Sequence, residues 1–82
     1  MITAEQMRAA RALLRWPAQE LADRTGITLR SIQRLESETG FPASRTKNLL
    51  TIRKVLEAAG VVFIDENGGG PGVRLRDRVS DQ

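Results

Sequence analysis

The sequence has no cysteine and no histidine among its 82 residues. These absences exclude disulfides, thiol nucleophiles, zinc sites of the usual kinds and an imidazole base that works near neutral pH. The Asp and Glu residues show no metal-ligand spacing, and without His or Cys a pair of nucleophile and base cannot be assembled in the ordinary way. We therefore expect a protein that is not an enzyme and that uses neither a cofactor nor a metal.

Aromatic side chains and long apolar runs are also scarce. The only aromatics are Trp16, Phe41 and Phe63, whereas binders of single-stranded nucleic acid usually carry several on one sheet. Trp16 is therefore expected to pack at the edge of the core. No apolar run approaches the roughly 20 residues that span a bilayer, and charges interrupt the segment where a signal peptide would lie. These observations predict a cytoplasmic protein with no membrane partner.

The charged residues that are present are distributed unevenly. The chain has 13 Lys and Arg against 10 Asp and Glu, a net charge of +3. Residues 1–54 carry ten basic and five acidic side chains, a net charge of +5, whereas residues 55–82 carry three and five, a net charge of −2. The first two thirds of the chain are therefore suited to a surface that binds a polyanion.

Capping residues and apolar periodicity predict four helices in the first three quarters of the chain. Thr3 and Gln6 have the spacing of a capping box, which begins a helix over residues 4–14. Pro17 suits the first turn of a second helix, and Gly26 is the residue type that ends one. The first two helices are thus separated by a short break, and the second ends in a tight turn.

The third and fourth helices are followed by a different pattern. Thr28 caps the third helix, and apolar residues recur at helical spacing in the fourth helix up to Gly60. A β-branched run over residues 61–64 and an alternating segment over residues 73–76 then predict a short β-hairpin or arm. These boundaries divide the chain into a helical domain, a hairpin and a flexible tail, at residues 1–60, 61–76 and 77–82.

Residues 19–36 place two short helices around a glycine-containing turn of the size that the DNA-binding helix-turn-helix motif needs. Leu21, Ala22 and Ile32 are among the small and apolar residues that fix the angle between the two helices. The polar and charged side of the third helix is left to face outward. The residues expected on this exposed side are Thr28, Leu29, Arg30, Gln33 and Arg34.

The sequence resembles the Cro and C1 repressor type of regulator, the XRE family, in four short motifs: Glu20-Leu21-Ala22, Gly26-Ile27-Thr28, Ser31-Ile32 and Leu35-Glu36. The likeness covers residues 3–59 and implies a mainly helical, compact, four-helix lambda-repressor-like domain. It also implies that the third helix enters the major groove. The residues that would then face the bases are Thr28, Leu29, Arg30 and Arg34, with Gln33 further round the helix.

Contacts with the DNA backbone are expected where the second helix begins and where the chain enters the fourth. The candidates for phosphate contacts are Gln19, Ser31, Arg45, Thr46, Lys47 and Asn48. The sequence departs from the family where the second helix begins, because Pro17 and Ala18 stand where Ser or Thr followed by Gln is usual. A side-chain clamp on phosphate and base is therefore missing, and we expect lower affinity or altered specificity.

We therefore expect a homodimeric transcriptional regulator that binds double-stranded DNA with dyad symmetry and acts as a repressor. Contacts between the copies are assigned to Val61, Phe63, Val73 and Leu75 of the hairpin. Phe63 has two alternatives, because it can pack on the fourth helix or lie between the copies. The alternative function is an antitoxin or other interaction module whose hairpin binds a protein partner, such as a toxin or a polymerase.

Overall fold

The computed structural model describes residues 1–41 and 46–77. Four helices are followed by a two-stranded antiparallel hairpin, which confirms the expectation of a mainly helical fold with a C-terminal hairpin. Among the helices of these residues, none has the length and apolar character needed to cross a bilayer. The elements are α1 (Ala4–Leu14), α2 (Ala18–Thr25), α3 (Leu29–Glu36), α4 (Thr46–Ala58), β1 (Val61–Ile64) and β2 (Gly72–Leu75).

Helix α1 begins at the predicted capping box. The Thr3 hydroxyl accepts the backbone N–H of Gln6 at 3.0 Å, and the Gln6 side-chain oxygen accepts the backbone N–H of Thr3 at 2.8 Å. The helix ends at Arg15, whose φ of 58° is left-handed and whose N–H donates to the carbonyls of Ala12 and Arg11. Glycine is the usual residue in this conformation because it has no Cβ to clash with the backbone.

The turn between α2 and α3 also follows the prediction. Gly26 has a φ of 77°, and its N–H donates to the Ala22 carbonyl, which closes the end of α2. Thr28 is extended, and its hydroxyl accepts the Ser31 N–H at 3.2 Å, which begins α3. Only Gly26 and Ile27 therefore lie between the last residue of α2 and the residue that caps α3. This short connection fixes the two helices as neighbours.

The helices and the hairpin bury one common core. Apolar side chains of α1, α2, α3 and α4 contribute to it, and Val61 and Phe63 of β1 complete it. The Arg53 guanidinium also lies 5.3 Å from the centre of the Phe63 ring. The largest side chains that are fully buried are Ile2, Met7, Leu21, Ile32, Leu49, Ile52 and Leu56.

The hairpin is fastened to the start of α1 by one side chain. The Gln6 amide donates to the carbonyls of Ile64 at 3.2 Å and Gly72 at 2.9 Å, where the two strands meet the connecting loop. Gln6 is itself buried. The hairpin is therefore packed as part of the helical domain, and residue 60 does not separate two independently packed units.

The burial of the hairpin corrects part of the assignment of contacts between copies. Val61 and Phe63 are buried within their own chain, so the first alternative for Phe63 is the one observed and these two side chains offer almost no surface to a second copy. In the register of the hairpin, Val61 pairs with Leu75 and Phe63 with Val73. Val73 and Leu75 are only half-buried. Of the tail expected at 77–82, residues 78–82 lie outside the described part.

Candidate nucleic-acid interface

The C-terminal end of α3 is fixed to α1 through Glu36. Arg11 approaches its carboxylate with two nitrogens, Nε to Oε2 and Nη2 to Oε1, both at 2.7 Å. The third nitrogen of Arg11 donates to the Trp16 carbonyl at 2.9 Å, and Arg8 donates to the backbone carbonyl of Glu36. The hydrogen bonding that Arg11 donates to the Glu36 carboxylate raises the pKa of Arg11. Both arginines of α1 are thus occupied in holding α3.

The outward side of α3 carries two cations at helical spacing. Arg30 and Arg34 are four residues apart, so that they lie on the same face, and both are exposed together with Gln33. Within residues 1–41 and 46–77, no carboxylate lies within 4.0 Å of either guanidinium. Among the described residues, an external acceptor would thus have no carboxylate to displace from either guanidinium.

Leu29 differs from the expectation that it stands exposed beside these arginines. It is half-buried and packs against the core. Leu29 lies three residues before the fully buried Ile32, which places the two side chains on the same side of α3. The short turn between α2 and α3 brings this side against the domain, so only part of Leu29 remains for a base or a thymine methyl.

Two hydroxyl groups lie where α3 begins. The Thr28 hydroxyl accepts the Ser31 N–H as the cap and donates its own hydrogen to Ser31 Oγ at 3.0 Å. Thr28 was expected both to cap α3 and to face the bases, but its hydroxyl hydrogen is already used within the helix. The Ser31 hydroxyl, which accepts from Thr28, keeps its hydrogen for another acceptor.

The outer side of α2 is internally paired. The Gln19 amide donates to Asp23 at 2.8 Å, and Arg24 forms an ion pair with Glu20 at 2.7 Å. No side chain caps the start of α2, because Pro17 occupies the capping position. Gln19 is exposed, as expected of a residue that contacts a phosphate. Its amide would have to break the hydrogen bond with Asp23 before it could donate to the phosphate. The expectation of a missing clamp stays a prediction.

The candidates in α4 are only partly described. Lys47 is exposed and Asn48 is half-buried in the first turn of α4. Thr46 is the first residue of the helix, but its side chain lies outside the described part, as does the whole of Arg45. The structure therefore makes Lys47 available for a phosphate contact and leaves the other predictions for this segment as predictions.

Sequence analysis missed Arg15 as a candidate contact. Arg15 is exposed, directly precedes the segment that leads into α2, and is the only described non-glycine residue with a positive φ. Its position after the last periodic apolar residue of α1, two residues before Pro17, was the available signal. Trp16 packs at the core edge as expected, with the Arg24 guanidinium 4.3 Å from its ring centre.

No protein-family model matches the chain, and no curated protein was found to match it.

Proposed function

We propose that this protein binds double-stranded DNA by placing α3 in the major groove. The supporting observation is the difference between its arginines. Arg8, Arg11 and Arg24 are bound to protein acceptors, whereas Arg30 and Arg34 have no carboxylate partner within the described residues. The acidic side chains near the motif therefore stabilise the fold and leave the outer side of α3 positive.

The two ends of α3 are held in ways that suit recognition. Thr28 caps its first turn, and Arg11 binds the carboxylate of Glu36 at its last residue. A helix held at both ends loses little conformational freedom on binding, so more of the contact energy appears as affinity. Arginine can bond to O6 and N7 of guanine together, and one such pair discriminates against a wrong base by about 1–3 kcal/mol.

The experiment that tests this proposal is selection of binding sites from random duplex DNA, followed by affinity measurements by mobility shift at several salt concentrations. Arg30→Ala and Arg34→Ala are expected to lower specific affinity by about 1–3 kcal/mol each and to relax the preference at one base pair. Arg74→Ala is the matched control, because Arg74 is an exposed arginine of the hairpin and its loss changes the net charge equally.

Recognition through α3 would be contradicted if the selection enriched no sequence and all three variants lost DNA affinity equally. Enrichment of a site with two-fold symmetry would instead support the regulatory form of the proposal. In that form a homodimer in the cytoplasm occupies two half-sites about 34 Å apart and blocks a promoter. A reporter driven by the selected site measures this directly, since repression should be lost with Arg30→Ala and kept with Arg74→Ala.

A further inference from the structure

A surface that combines apolar and charged side chains lies where α1, β2 and the residues that follow α4 meet. It contains a depression of about 340 Å³ whose apolar lining includes Leu13, Leu14, Ala59 and Leu75. Leu13 is 40% exposed although it is a large apolar side chain. The depression thus adjoins an apolar side chain that the rest of the described chain leaves in contact with water.

The exposed side of α1 extends this surface. Ala9 is exposed and lies four residues before Leu13, which places the two side chains on the same face of the helix. Leu13 is about 140° round the helix from Arg8 and about 160° from Arg11, at about 100° a residue. The surface is therefore on the side of α1 away from the two arginines that hold α3, and a protein bound there would leave α3 accessible.

The charged residues of this surface have both signs. Arg76 is positioned by its backbone N–H, which donates to the Gly60 carbonyl at 2.7 Å. Its guanidinium lies 3.7 Å from the carboxylate of Asp77, and both side chains are well exposed. In a contact with two-fold symmetry, the same surface of each copy faces the other, so an adjacent pair of opposite charges can be satisfied by its own copy in the partner.

We propose that this surface, formed by Leu13, Leu75, Arg76 and Asp77, is the contact between two copies of the chain. Leu13 of each copy would lie against the depression of the other, with Arg76 facing Asp77 of the partner subunit. The choice of a second copy as the occupant rests on the self-complementary charges and, in part, on the proposed function, since a symmetric operator needs two recognition helices. The contact between copies is thus assigned to side chains that remain accessible, and no longer to Val61 and Phe63.

The test is the oligomeric state of the full chain by sedimentation equilibrium. Wild-type protein is expected to dimerise, and Leu13→Glu to raise the dimer dissociation constant at least ~10-fold because it places a charge in an apolar contact. Leu50→Glu is the control, because Leu50 is a 51% exposed leucine on α4 outside this surface. Both variants are expected to remain folded by circular dichroism, since each changes an exposed side chain.

A second pair of variants keeps the proposal testable if Leu13→Glu does not fold. Arg76→Asp gives each copy two acids, and Asp77→Arg gives each copy two bases, so each protein alone should dimerise more weakly than wild type. An equimolar mixture should regain the wild-type association, because opposite charges then face each other. A mixture that associates no better than its components contradicts the arrangement.

These experiments distinguish a failure of the proposed dimer contact from a failure of the proposed DNA binding. A wild-type chain that stays monomeric up to millimolar concentration, or a Leu13→Glu protein that dimerises as tightly as wild type, overturns the contact surface. The proposed function survives that result if the monomer still binds a single half-site through Arg30 and Arg34. Conversely, a dimer disrupted by Leu13→Glu but with no preferred DNA sequence confirms the contact and removes the functional argument for it.

Discussion

Arg11 and Glu36 are joined by two parallel hydrogen bonds of 2.7 Å, which connect the middle of the first helix to the last residue of the third. The Glu36 side chain is 7% exposed and that of Arg11 is 20% exposed, so water screens the pair only weakly. The same arginine donates to the Trp16 carbonyl, two residues before α2 begins. One guanidinium therefore joins α1 and α3 to the segment that leads into α2.

Removing one partner of this pair should be costly. Glu36→Gln is expected to lower the free energy of unfolding by about 3 kcal/mol, because it leaves a largely buried guanidinium without its counter-charge. The double variant Arg11→Met with Glu36→Leu should recover part of that loss, since neither charge then remains. Urea denaturation of the single and double variants measures the difference. A loss below about 0.5 kcal/mol for Glu36→Gln would mean that the pair behaves as an exposed surface pair.

The role of Thr28 in capping α3 can be separated from its role in DNA binding. Thr28→Ala should cost about 1 kcal/mol of stability, because the Ser31 N–H loses its acceptor. Thr28→Asp should retain the cap and the stability, because aspartate is also a good capping residue. It should nevertheless weaken DNA binding, since it adds a negative charge at the end of α3 nearest the turn. A Thr28→Asp protein with wild-type affinity would show that this end of the helix is distant from DNA.

The attachment of the hairpin depends on the Gln6 side chain. Gln6→Leu should lower stability by about 2 kcal/mol, because the N–H of Thr3 and two hairpin carbonyls lose their partner. The loss should be accompanied by faster amide hydrogen exchange in β1 and β2 than in α2 and α3. Gln33→Leu serves as the control, since Gln33 is exposed. Equal acceleration throughout the chain would show that the hairpin opens only when the whole domain unfolds.

The Glu5 carboxylate makes stability sensitive to acid. Its own backbone N–H and that of Gly40, which it accepts at 2.9 Å, lower the pKa of Glu5 below the ordinary value of 4.5. A carboxylate whose pKa is lower in the folded state than in the unfolded state stabilises the folded protein at pH values above the unfolded pKa. This stabilisation is lost as the pH falls through the folded pKa. Wild-type protein should therefore exceed Glu5→Gln in Tm at neutral pH, and the difference should vanish on acidification well below pH 4.5. A difference that persists in acid would assign the effect to packing.

The features that sequence analysis predicted correctly are those fixed by neighbouring residues. The box formed by Thr3 and Gln6, the cap at Thr28 and the turn at Gly26 all involve contacts within four residues along the chain. Short-range patterns determine such contacts because the geometry of a helix end is the same in any fold. The bounds of the first helix, the end of the second and the start of the third could be predicted for the same reason.

The predictions that failed depended on contacts between distant parts of the chain. The exposure of Leu29 is set by how closely α3 approaches the core, and the burial of Phe63 by whether the hairpin folds back on α4. Neither is encoded in local periodicity. The partners of Gln6 lie 58 and 66 residues away, so the sequence indicated its capping role and gave no sign of its attachment to the hairpin. Arg30 and Arg34 could be named as exposed, but the absence of a nearby carboxylate required the fold.

The stacking of Arg24 on Trp16 provides the protein with an intrinsic optical probe. Trp16 is the only tryptophan of the chain, is half-buried beside the core and lies two residues before α2 begins. Its emission is therefore a single signal from one end of the helix-turn-helix segment. A ligand that displaces the Arg24 guanidinium or excludes water from the indole ring would change the intensity or wavelength of that emission. Binding near α2 can therefore be followed on the unlabelled wild-type protein.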